Sequence, residues 1–137
     1  MIKLIASDVD GTLLRAGESK ISDSIAYSLS TWLKNKNTLA ICSGRSFESL
    51  SNIFSFLDME STYFICCDGA VTLHKGKVIY SKPIAYSDIL KIIRSDEYSE
   101  CTKILCTPFC SYIVGEDKHG VVMSDLHADR IERVSGI

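Results

Sequence analysis

After Ile2, residues Lys3 to Ser7 run with little polar alternation. A short apolar run closing on polar residues suits a strand buried on both faces, as in a parallel sheet. Residues 8–20 hold glycines and polar groups and read as a loop. Ile21, Ile25, Leu29, Trp32 and Leu33 recur at helical spacing, which predicts an amphipathic helix over 22–35. Asn35-Lys36-Asn37 ends it. Thr38 to Cys42 (TLAIC) is a second buried strand, and Ser43 to Ser46 is a turn. Leu50, Ile53, Phe54 and Leu57 mark a second helix, and Tyr63 to Cys66 a third strand. This alternation points to a right-handed parallel α/β layer.

The rhythm changes after Cys67. Val71 to His74 and Val78 to Tyr80 are short strands around Lys75-Gly76-Lys77, a hairpin signal. Ser87 is placed to cap a short helix carrying Ile89, Leu90, Ile92 and Ile93. Lys103 to Cys106 and Tyr112 to Val114 form another strand pair, joined through Pro108. Residues 117–137 are polar and weakly patterned. The switch from α/β to hairpin-rich α+β sets a boundary near Lys82-Pro83, giving units 1–82 and 83–137.

Composition narrows the function classes. The chain has 137 residues, with 15 Lys and Arg against 17 Asp and Glu, for a net charge of −2. That balance excludes a surface built to coat nucleic acid. No apolar run approaches the ~18 residues of a membrane span. The N-terminal apolar run is too short for a signal peptide and reaches carboxylates at once, so a cytoplasmic protein is expected. Six cysteines then read as reduced thiols, mainly small buried apolar side chains. Cys101, Cys106 and Cys110 lack the spacing of a zinc site. His74, His119 and His127 share no ligand spacing and are expected on the surface.

The most informative string is Asp8-Val9-Asp10-Gly11-Thr12, directly after the first strand. Residues two apart on a strand point the same way, so Asp8 and Asp10 are expected to converge at the carboxyl mouth of the sheet. Gly11 permits a sharp turn. Thr12 can hydrogen-bond the loop and steady the pair. Two adjacent carboxylates call for a cation, and hard oxygen donors favour Mg²⁺. One carboxylate is suited to attack phosphorus, the other to move protons. Ser43 and Gly44 directly follow the second strand. A hydroxyl and backbone N–H groups ahead of a helix suit a phosphate oxygen, and Arg45 adds a planar donor fork.

Ile2 to Leu14 (IKLIASDVDGTLL) resembles the first motif of the haloacid-dehalogenase-like (HAD) hydrolases. The resemblance implies that Asp8 is a nucleophile and Asp10 a general acid/base, with Mg²⁺ between them. In that family the metal is also ligated by the second Asp's backbone carbonyl. Ser43-Gly44-Arg45 resembles the second motif, whose hydroxyl bonds the transferring phosphoryl group. Thr12, Ser43, Gly44 and Arg45 thus form the expected phosphate-contacting set. Ile65 to Ala70 (ICCDGA), with Lys82-Pro83, resembles the Cof-type phosphatase branch, where Asn-Gly-Ala is usual and Asp68 stands here instead. A carboxylate accepts only, where an amide also donates.

The implied fold is α/β: a partial Rossmann-like HAD core with three parallel strands and flanking helices, followed by part of an α+β cap. The implied activity is Mg²⁺-dependent hydrolysis of a small phosphorylated metabolite such as a sugar phosphate. In this branch a phosphate-neutralising Lys and a further acidic metal motif follow the cap. No Gly-Asp-x-x-Asn-Asp-like string occurs here. The chain is therefore expected to match the N-terminal half of such an enzyme and to be feeble alone. Its first strand would be a bare edge open to self-association or a complementing fragment. Two alternatives stay open. One is a phospho-accepting receiver module using Asp68, and the other is an inactive remnant that only binds partners.

Overall fold

The computed structural model describes residues 2–118, 120 and 131–135. A five-stranded sheet has the order β1 (Leu4–Asp8), β2 (Thr38–Cys42), β3 (Thr62–Cys66), β4 (Val71–His74), β5 (Lys77–Ser81). The first three strands are parallel, and β4 and β5 return antiparallel as a hairpin. Helix α1 (Asp23–Lys34) joins β1 to β2, and α2 (Phe47–Ile53) joins β2 to β3. The α/β layer expected from the apolar rhythm is thus present. The hairpin extends that same sheet. Its turn is Lys75-Gly76, both with positive φ (54° and 69°), the backbone that matches strand twist in a two-residue hairpin.

One face of the sheet holds the core. Ile5, Leu39, Ile41, Phe64, Cys66, Val71 and Leu73 meet Leu29 and Leu33 of α1 and Leu50 of α2, with Phe54 just beyond it. The Phe64 ring is fully buried and meets Phe47 edge-on at 5.4 Å. Trp32 ties α1 to the sheet by donating from Nε1 to the Thr38 carbonyl at 2.8 Å.

The other face departs from expectation. The sequence suggested that β1 is buried on both sides, but Leu4, Ala6 and Asp8 are exposed while Ile5 and Ser7 are partly covered. Both helices contribute to the core cluster on the Ile5 side. β1 is one of the two outermost strands of the described sheet, and Leu4 remains 55% exposed.

A second sheet has the order β6 (Lys103–Cys106), β7 (Ser111–Val114), β8 (Ile131–Val134), with β6–β7 antiparallel and β7–β8 parallel. β8 falls in the stretch read as unpatterned, because Glu132 and Arg133 interrupt its apolar positions. Helix α3 (Tyr86–Arg94) precedes this sheet and buries no residue fully. Ala85 is its N-cap and Ser87 lies inside it, so the expected Ser87 cap is displaced by two residues. The β6–β7 turn reaches the first unit: Glu48 donates its backbone N–H to the Pro108 carbonyl at 3.2 Å, and Phe109 meets Phe47 edge-on at 5.9 Å.

Two minor expectations change. Cys101 and Cys106 are exposed, so the buried-thiol reading fits Cys66 and Cys110 but not these. His74 is partly buried, stacked on Tyr63 at 4.1 Å. His119 and His127 lie outside the described residues. Among the described residues no helix is long and apolar enough to cross a membrane.

Candidate active site

The carboxyl ends of β1, β2 and β3 bring three loops together. Asp8 closes β1 and lies in register with Cys42 at the end of β2. Ser43, Gly44 and Arg45 therefore start beside Asp8, and the turn Cys67–Gly69 follows one strand further on. Parallel strands make this inevitable, because every β-to-α exit lies at the same end.

After Asp8 the chain tightens. Val9 is fully buried and its carbonyl accepts from the backbone N–H groups of Thr12, Leu13 and Leu14 at 2.8–3.1 Å. Gly11 takes φ = 81°, the left-handed conformation that favours glycine. The loop folds so that Thr12 Oγ1 donates to Asp8 Oδ2 at 3.2 Å. The Asp8 charge reaches the neighbouring strand: burial first, then Asp8, pushes the Cys42 thiol above its ordinary pKa.

Asp10 is engaged differently from Asp8. Arg45 donates from Nε to Asp10 Oδ2 at 2.9 Å and from Nη2 to Asp10 Oδ1 at 2.6 Å. Such a two-point fork is the strong form of a carboxylate pair. Arg45 Nη1 also donates to Ser49 Oγ at 3.4 Å. Arg45 was expected to hold a phosphate oxygen, and here its fork is spent on a carboxylate. A cleft of about 1130 Å³ reaches this pair from the helix side, lined by Asp10, Arg15, Lys20, Arg45, Ser49 and Asn52 among others. It does not extend to Asp8 or Ser43.

Ser43 Oγ accepts the Arg45 backbone N–H at 3.2 Å, which leaves its own proton for a ligand oxygen. Further on, two N–H groups of the first turn of α2 already have partners within the chain. Ser46 Oγ accepts Ser49 N–H at 3.2 Å, and the Pro108 carbonyl accepts Glu48 N–H.

The turn after β3 is clipped to the same loop. Cys67 donates its N–H to the Arg45 carbonyl at 3.1 Å, and Asp68 donates to the Ser43 carbonyl at 3.3 Å. Cys67 and Asp68 both have positive φ, 51° and 53°. Burial, then Cys106 and Asp68, raises the Cys67 pKa. Asp68 lies against Gly44, and a Cβ there would stand 2.8 Å from Asp68 Oδ1.

The donor set agrees with Mg²⁺ in kind, since both acids offer hard oxygen and the ion needs only one or two carboxylates. It is sparse: among the described residues no group of three or more His, Cys, Asp or Glu gathers. Asp8, Asp10, Thr12, Ser43, Gly44 and Arg45, the candidates named from the sequence, lie on the loops after β1 and β2, while the Asp10–Arg45 fork and the Ser49 contact were not anticipated. The parallel register of β1 and β2 was the available signal.

The comparisons agree with this fold. A family model described as haloacid dehalogenase-like hydrolase matches residues 5–133. Among curated proteins nothing matches. A solved protein from Eubacterium rectale is 24% identical with a TM-score of 0.79, covering 99% of this chain and 52% of its own. A phosphatase of the HAD superfamily from Bacteroides thetaiotaomicron is 21% identical with a TM-score of 0.75, covering 98% and 50%. A sugar phosphatase of HAD subclass IIB is 20% identical with a TM-score of 0.68, covering 97% and 52%. At these identities the likeness carries the fold, and the chain spans about half the length of each structure. With the family model spanning nearly all of its residues, the chain belongs to the haloacid dehalogenase-like hydrolases.

Proposed function

We propose that this chain carries the nucleophile side of a phosphatase site for small phosphoric monoesters, within a core of residues 1–82 and a partial cap of residues 83–137. An Asp8 carboxylate oxygen attacks phosphorus, the bond to the leaving oxygen breaks, and an aspartyl-phosphate forms. Asp10 supplies the proton to that leaving oxygen. It then takes a proton from the water that attacks phosphorus and frees phosphate from Asp8. Thr12 orients Asp8, and the Ser43 hydroxyl and Gly44 backbone serve the transferring group. Asp8 and Asp10 would hold Mg²⁺, which when bound offsets the charge gathered between carboxylates and phosphoryl oxygens.

The observation that carries this reading is Asp8 itself. It stands exposed at the carboxyl end of β1, oriented through one oxygen by Thr12, with Ser43 at the end of the adjoining strand. A sugar phosphate is the favoured substrate class, one neighbour being a sugar phosphatase. A receiver would need a crossover helix after Asp68, and an antiparallel hairpin follows instead.

The site is completed, on this reading, across the bare edge of β1. Ligand crevices in open α/β sheets lie where strand order reverses, and Asp8 ends an outermost strand here. A self-associating copy or a complementing segment at that edge would turn the mouth into a crevice.

Acetyl phosphate treatment followed by peptide mass spectrometry tests the assignment. Label on Asp8, lost in Asp8→Asn, supports it. Label on Asp68 favours a receiver. Hydrolysis of p-nitrophenyl phosphate with Mg²⁺ that survives Asp8→Asn overturns the nucleophile role.

A further inference from the structure

The Asp10–Arg45 pair sits between two environments. Towards β1 and β2 lies the mouth with Asp8 and Ser43. Towards the helices lies the cleft lined by Arg15, Lys20, Ser49 and Asn52. Arg45 is anchored at its backbone, where its N–H meets Ser43 Oγ and its carbonyl meets Cys67 N–H. Its long side chain is the part that can move. The guanidinium is largely buried, at 13% exposure, while Asp10 is 43% exposed. A partly solvated carboxylate is a weaker competitor than a dianionic phosphate for a planar fork, because phosphate offers the same two-point geometry with more charge.

We propose that Arg45 is a shared residue: it holds Asp10 before substrate arrives and transfers its fork to a phosphate group that enters beside Ser43. This rests on the phosphatase reading and adds a condition to it. Asp10 becomes available for proton transfer only when an anion has drawn Arg45 away, so the acid is released by the group it is to serve. With both Asp10 oxygens on Arg45, that carboxylate stays out of use until phosphate arrives. Ser49 Oγ, 3.4 Å from Nη1, is a further partner for the displaced guanidinium. No bond is made or broken in the exchange, in which one ion pair replaces another.

The test is a double-mutant cycle on phosphate binding by the whole chain, without metal and without turnover. Inorganic phosphate is titrated calorimetrically into wild type, Asp10→Asn, Arg45→Ala and the double variant, each checked for folding by circular dichroism. Removing the competing carboxylate should tighten phosphate about tenfold, the size of one charge-assisted contact. Arg45→Ala should weaken it by at least about as much, and Asp10→Asn should then change little in the Arg45→Ala background. Arg45→Lys keeps the charge without the fork, so it should retain binding yet gain less from Asp10→Asn.

Equal phosphate affinity in wild type and Asp10→Asn overturns the proposal. An equal gain in both Arg45 backgrounds also overturns it, since that is a simple charge effect. Absence of phosphate binding in every variant does the same. Failure of the underlying phosphatase reading would show elsewhere, as an unlabelled Asp8 in a chain that still couples Asp10, Arg45 and phosphate.

Discussion

The Asp68 carboxylate occupies the space that a side chain at residue 44 would need, with Oδ1 2.8 Å from the position of a Cβ on Gly44. Gly44→Ala therefore forces Asp68 to turn away. Overpacking of this kind costs about 1 kcal/mol when the obstacle is a short side chain, which is a few degrees in Tm for a chain of this size. Gly44→Ala combined with Asp68→Ala should recover most of the loss. A double variant as unstable as the sum of its singles would show that the two residues do not compete for this space.

Asp10→Asn should separate the two halves of the proposed reaction. Acetyl phosphate has a leaving group that needs little protonation, so labelling of Asp8 should continue. Release of phosphate needs a base for water and should slow by about 10²–10⁴-fold. Phosphorylated Asp8 should thus persist longer in Asp10→Asn than in wild type, read by intact-mass spectra over time. Equal decay in both proteins would remove Asp10 from the hydrolytic step.

Alkaline stability should depend on Cys66. Burial, then Cys67 and Cys42, pushes this thiol from its ordinary 9.0 to about 12. The native state thus holds the proton longer than the unfolded chain. Its contribution is complete below pH 9 and falls as pH rises towards 12. Cys66→Val should flatten that part of the Tm-against-pH curve. The alkylation order at pH 8 should agree, with exposed Cys101 and Cys106 modified first and Cys66 last.

The edge of β1 gives a prediction about association. Leu4, on an outermost strand, is 55% exposed, and Ile2, just ahead of that strand, is 74% exposed. Leu4→Lys should lower the apparent mass by light scattering with little loss of stability, since charge on an edge strand blocks pairing. A wild-type chain monomeric at high concentration would argue against a self-associating edge.

Much of the fold could be read along the chain because its period was unambiguous. Thr38–Cys42, Val71–His74 and Lys103–Cys106 are apolar enough that their observed limits match the expected ones. β8 was invisible because its pairing with β7 is set by tertiary contact, while Glu132 and Arg133 hide its pattern. The placement of Asp8 and Ser43 was legible because one closes β1 and the other directly follows β2, with Asp10 two residues beyond Asp8. The grip of Arg45 on Asp10 was not, since it joins residues 35 positions apart and needs the β1–β2 register to bring them together. The open side of β1 was hidden for a related reason. A continuous apolar strand looks the same whether its second face is covered or waiting for cover.

The clips from Cys67 to the Arg45 carbonyl and from Asp68 to the Ser43 carbonyl have a mechanical outcome. The two loops cannot shift independently, because sliding either one strands a pair of main-chain donors. Whatever tugs at Ser43 is passed to the root of the β4–β5 hairpin, so this corner of the molecule would answer an arriving anion as one stiff piece.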